Sequence, residues 1–146
     1  MKKLLSVLLP FCLLCVLTAG CSGNPRIRNT GDVDVDLTAL SSTMVYAEVF
    51  NMTEAPSRYL GKTIKASGIY NVFYYDKTDS YYHYVIIEDA AACCAQGLEF
   101  ILSGASAYPD AYPEDQAKIE IIGVFGSYEE AGETYYYLEA DEIKIL

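Results

Sequence analysis

The spacing of apolar positions changes character repeatedly along the chain. From Leu4 to Ala19 the residues are apolar, with Ser6, Pro10 and Thr18 as interruptions; the run is shorter than the roughly 20 residues of a permanent membrane span. From Cys21 to Ser42 no apolar period is sustained, and Gly, Pro, Asn and acidic residues predict a flexible acidic tether over residues 21–42. Val45, Val49 and Met52 then recur at three- and four-residue spacing behind Ser42 or Thr43 as N-cap, which predicts a short helix before Pro56. Beyond Pro56 and Gly61, hydrophobic and β-branched runs predict five strands: Thr63 to Tyr75, Tyr81 to Glu88, Leu98 to Leu102, Lys118 to Ser127 and Thr134 to Ile145.

Asp76 to Ser80 ("DKTDS") and Tyr128 to Glu133 ("YEEAGE") are short enough to close antiparallel hairpins, whereas "GASAYPDAYPEDQ" after Leu102 must be a crossover. The expected fold class is mainly β: a small five-stranded antiparallel barrel over residues 43–146 with a short N-terminal helix. A long first strand bending at Gly68, two more strands, a crossover and a final hairpin resemble an OB-fold. The crossover departs from that pattern, because Pro109 and Pro113 stand where an OB-fold has a helix. The same strands also suit a β-sandwich or an open α+β sheet.

Lys2 and Lys3 ahead of the apolar run, with small residues at its end, read as a signal peptide over residues 1–20. Its ending, "LTAGC" at Leu17 to Cys21, resembles the lipobox of bacterial lipoproteins, with Thr18 where that motif more often has Leu. The resemblance implies lipidation of Cys21 as the first mature residue; ordinary secretory cleavage with Cys21 as a bystander is the alternative. Two acyl chains make attachment stable where one is marginal. The expected address is the cell membrane, lipid-anchored on the extracytoplasmic face, or an outer membrane. "YLGKTIKASG" and "ACCAQGLEF" resemble segments of a group of small lipoproteins of Gram-positive bacteria. That resemblance implies the same address and an OB-like domain, and no activity.

Charge narrows the partners. The full chain has a formal charge of −10, and losing residues 1–20 removes two lysines and no acid, leaving −12. Nucleic acid is excluded as a partner, since phosphate binding depends on Lys and Arg. An acidic surface instead favours cations and basic partners.

Of the five cysteines, Cys12 and Cys15 belong to the leader, Cys21 is the lipid site, and Cys93 and Cys94 fall in the domain. Neighbours offer no ordinary disulfide framework, and a vicinal bridge is strained because their alpha carbons lie about 3.8 Å apart. A zinc or copper(I) site is expected to draw on His83, Cys93, Cys94 and Asp89. Adjacent cysteines diverge on regular structure, however, so the simplest expectation for "AAACCA" is a small-residue helical turn, capped by Asp89, stopped by Gly97 and packed over a barrel end. "DVDVD" at Asp32 to Asp36 fails as a calcium loop, with Leu37 at the sixth position and Thr43 at the twelfth. A thiol enzyme built on His83 lacks an orienting third residue.

The 14 tyrosines supply the other candidate site. "YNVFYYD" and "SYYHY" should lie on facing strands, with Tyr74, Tyr82 and Tyr84 grouped as a stacking platform. The expected function is a non-enzymatic, membrane-tethered binding module for a protein, glycan or small ligand. The alternative is a zinc-binding accessory lipoprotein.

Overall fold

The structure is a computed structural model that describes residues 32–88, 91, 94–104 and 107–146. Its elements are β1 (Val35–Asp36), α1 (Ser42–Glu54), β2 (Thr63–Tyr75), β3 (Ser80–Glu88), β4 (Ala95–Leu102), β5 (Lys118–Glu130) and β6 (Glu133–Ile145). Among the described residues, no helix is long and apolar enough to cross a membrane. The leader, Cys21, Asp89 and Cys93 lie outside them.

Strands β2 to β6 close into a five-stranded barrel in the order β2, β3, β4, β6, β5, with β5 returning to β2. This is the expected mainly β class, and it is compatible with an OB-like fold. The orientation is mixed rather than purely antiparallel: β4 and β6 run parallel, from Glu99 opposite Tyr137 to Leu102 opposite Ala140. The reason is topological, since strands in a ring with an odd number of members cannot all alternate in direction. Closure also makes β2 serve two neighbours. Its first half, Thr63 to Ile69, pairs with β5, and its second half, Ile69 to Tyr75, with β3.

Period-2 alternation fills the interior. Ile64, Ala66 and Tyr70 of β2 meet Val85 and Ile87 of β3, Leu98, Phe100 and Leu102 of β4, and Ile119, Ile121 and Phe125 of β5, all buried. Helix α1 contributes Val49 and Met52, both fully buried. Its N-cap is Ser41, one residue before the expected range, whose Oγ accepts from the Met44 N–H at 3.4 Å. Gln96 donates to the Tyr46 hydroxyl at 3.3 Å, so the helix lies by the barrel end where β3 finishes and β4 starts.

The folded part begins earlier than the expected tether boundary. Val35 and Asp36 pair in parallel with Ile64 and Lys65. The Asp34 carboxylate accepts the Thr63 N–H at 2.8 Å, and Leu37 is 2% exposed. One buried leucine and two added rungs dock a segment whose composition reads as solvated. Leu37→Ala is expected to cost about 2 kcal/mol in urea denaturation and to speed amide exchange at Asp34; a loss within error would mean that the segment is not docked.

Candidate functional site

The β3–β4 ladder ends at the rung of His83 and Phe100, although the strands continue to Ser80 and Leu102. Beyond that rung they part, opening a cleft of about 470 Å³. His83 is 6% exposed at its base, stacked on Tyr112 with ring centroids 3.8 Å apart and tilted against Tyr108 at 5.3 Å. Both tyrosines come from the crossover, which covers this part of the barrel with aromatic rings in place of a helix.

His83 Nδ1 lies 2.8 Å from the hydroxyl of the fully buried Tyr70. The hydroxyl must donate, because the reverse arrangement would leave the phenolic proton unpaired in the core at a cost of about 1–3 kcal/mol. Nε2 therefore carries the ring proton. No buried side-chain nitrogen or oxygen among the described residues lacks a partner, and His83 lines the cleft, so this N–H opens toward it. Burial pushes the His83 pKa from 6.5 down to about 4, and the ring is a neutral donor at pH 7. Tyr70→Phe is expected to cost about 1 kcal/mol. Long-range nitrogen–proton spectra of the unaltered chain should show the Nε2–H tautomer; an Nδ1–H pattern would contradict the assignment.

The β5–β6 arm forms the other wall. The expected turn from Tyr128 to Glu133 contracts to Ala131 and Gly132, with φ of 53° and 88°, as a two-residue hairpin turn requires. The strands thus extend through Tyr128 and Glu130, which alternation places on one face. That face reaches the outside of β3 and β4. The Tyr128 hydroxyl donates to the Glu99 carboxylate, 3.0 and 3.1 Å from its oxygens, and the Tyr82 hydroxyl donates to Glu130 at 2.8 Å.

Glu99 is 8% exposed although it points outward from the barrel. Burial raises its pKa from 4.5 to about 7, with the Tyr128 hydrogen bond opposing the shift and the Glu130 charge adding to it. Beside it lies a second cleft of about 210 Å³, walled by Phe73, Tyr75, Tyr84 and Tyr135. The two clefts share Tyr82, Glu99, Tyr128 and Glu130, and among the described residues no lysine or arginine lines either one.

The expected tyrosine platform is split. Tyr82 pairs with Phe73 and Tyr84 with Asn71, so even positions of β3 share a face with odd positions of β2. Tyr74 is therefore on the opposite face, 4.9 Å from Tyr81 between ring centroids, and its hydroxyl donates to Asp79 at 2.6 Å. A one-residue change of register exchanges the two faces, which is why parity along a single strand misplaced it.

Of the expected zinc set only His83 and Cys94 are among the described residues, and the barrel holds these two apart. Glu88 stands five residue steps beyond His83, and its partner Ala95 directly follows Cys94. At about 3.3 Å per residue, His83 lies some 16 Å along the ladder from the rung beside which Cys94 stands. Cys94 is exposed, and among the described residues no three His, Cys, Asp or Glu side chains converge as a metal site. The packed helical turn fails at its C-terminal side as well: Gly97 lies within β4 opposite Ile86. The end of β3 takes up Ala95 to Gly97 as a pairing partner, which overrides the small-residue pattern.

Tyr108, Tyr112, Glu99, Tyr128 and Glu130 escaped the sequence reading. Two signals were present: a lone acid inside the apolar run "LEFIL", and Tyr/Glu alternation continuing through "SYEEAGETYYY". No protein-family model matches the chain, and no curated protein matches it in sequence.

Proposed function

We propose that the chain is a non-enzymatic binding module, lipid-anchored through Cys21 on the extracytoplasmic face of a membrane, that takes a protein, glycan or small ligand into the paired clefts. The observation that carries this reading is the position of the clefts. OB-like barrels bind ligands on their second and third barrel strands and the flanking hairpin loops. Here those elements are β3 and β4 with the β2–β3 and β5–β6 hairpins, and they enclose both clefts. A few oriented polar groups among aromatic walls suit recognition. Catalysis finds less support, because the cleft histidine is held neutral and its Nδ1 is occupied by Tyr70. A zinc-binding role has no ligand set among the described residues.

The test is a nitrogen–proton NMR titration of the full chain in non-ionic detergent against a library of small fragments. Hits should shift the amides of Tyr82, His83, Glu99 and Tyr128. Hits confined to other surfaces would overturn the site. For the anchor, Cys21→Ser should release the protein from membranes on fractionation; unchanged membrane association would overturn it.

A further inference from the structure

We propose that the paired clefts receive an organic cation, an ammonium or guanidinium group, held between tyrosine rings and the carboxylates of Glu99 and Glu130. This rests on the binding-module reading above and names its ligand chemistry.

The walls carry the first part of the argument. Phe73, Tyr75, Tyr82, Tyr84, Tyr128 and Tyr135 surround the smaller cleft, and the negative face of an aromatic ring attracts a cation within about 6 Å. The rim already shows this preference, with the Lys77 ammonium 5.7 Å from the centroid of Tyr75. A volume of about 210 Å³ suits the end of a side chain or a headgroup rather than a folded segment.

Glu99 carries the second part. Both its oxygens share the single hydroxyl proton of Tyr128, whereas a carboxylate has about four acceptor sites. A charge so buried is costly unless it is paired. Among the described residues, the ion pairs of Lys65 and Lys144 with Glu120 belong to another surface. Glu130 doubles the negative charge at the same wall, and neutral His83 adds no repulsion. The net charge of −10 draws cations toward the molecule and keeps anions away. A neutral sugar would leave Glu99 without a counter-charge.

Binding a cation favours ionised Glu99, so affinity should rise with pH. The groups facing Glu99 are Tyr82 and Tyr84 of β3, Tyr128 and Glu130 of β5, and Tyr135 and Tyr137 of β6. With its pKa at about 7, affinity should increase roughly tenfold between about pH 6 and 8.

The experiment titrates the full chain, in non-ionic detergent, with choline, N-acetyl-arginine amide and chitotriose while following the same cleft amides. Choline, arginine amide or both should shift them. Choline alone identifies a quaternary headgroup, and arginine amide alone identifies a peptide side chain. Glu130→Gln, at the hairpin end and away from the core, should weaken cation binding by roughly tenfold. Glu99→Gln should abolish its pH dependence. If chitotriose shifts the cleft amides and neither cation does, the cation assignment falls and the site stands. If neither these probes nor the fragment library reach the cleft, both fall.

Discussion

Replacing Gly68 with alanine is expected to destabilise the barrel by about 3 kcal/mol or more. Gly68 sits where β2 passes from one neighbour to the other: it pairs with Ile119 of β5, and the next residue, Ile69, makes the last rung with Ile86 of β3. A Cβ there would overlap the Ile86 carbonyl oxygen and lie 2.9 Å from its carbonyl carbon and 3.0 Å from Val85 Cγ2. The obstacle is backbone, which no rotamer change relieves, so two strands must separate at the point that closes the barrel. Gly97→Ala is the control. Its Cβ would approach Ile86 as well, but at 3.3 Å from the tip of the side chain, and a loss below about 1 kcal/mol is expected. Urea denaturation of both variants decides the matter, and equal losses would show that the crossing of β2 is not the constrained point.

The second large effect concerns acid. Glu99 has its folded pKa raised to about 7 from 4.5, so its protonated form stabilises the fold fully below about pH 4.5, and that contribution is lost as pH rises through 7. His83 has its folded pKa lowered to about 4 from 6.5. Its contribution is complete above pH 6.5 and is lost as pH falls through 4. Each shift corresponds to on the order of 3 kcal/mol. Between about pH 4.5 and 6.5 the two oppose one another, and a fall in pH gains from Glu99 what it loses from His83. Glu99→Gln removes one side of this balance. The variant should be more stable than the original by on the order of 3 kcal/mol above pH 7 and equal to it below pH 4.5, so that its stability declines on acidification from pH 6.5. Denaturation midpoints measured across this range check the difference directly, and parallel curves for the two proteins would contradict it.

These two effects differ in how far a linear reading reaches them. Gly68 was recognisable as a bend because it interrupts a β-branched run; that the bend presses against Ile86 was not. His83 was the one histidine and drew notice for its metal chemistry, yet its surroundings are Tyr70, Tyr108 and Tyr112, distant in the chain or across a crossover. Glu99 drew no notice within the strand run "LEFIL". Only the β5–β6 arm, extended by the two-residue turn at Ala131 and Gly132, covers it and raises its pKa.

What the sequence determined by itself follows from local periodicity. The hydrophobic and β-branched run over Thr63–Tyr75 predicted that strand to the residue, and turn chemistry separated β2 from β3 and β5 from β6. Apolar spacing also foresaw a helix ending before Pro56. Composition alone gives the net charge of −10. The tertiary structure decided everything that depends on register and closure: the parallel pairing of β4 and β6, the separation of Tyr74 from Tyr82 and Tyr84, and the distance between His83 and Cys94. It also decided that Glu99 and Glu130 meet a tyrosine wall. Strand-to-strand register is set by turns and packing far apart in the chain, and a shift of one residue exchanges the faces of a strand. A site assembled across five strands therefore becomes visible only when the barrel is closed.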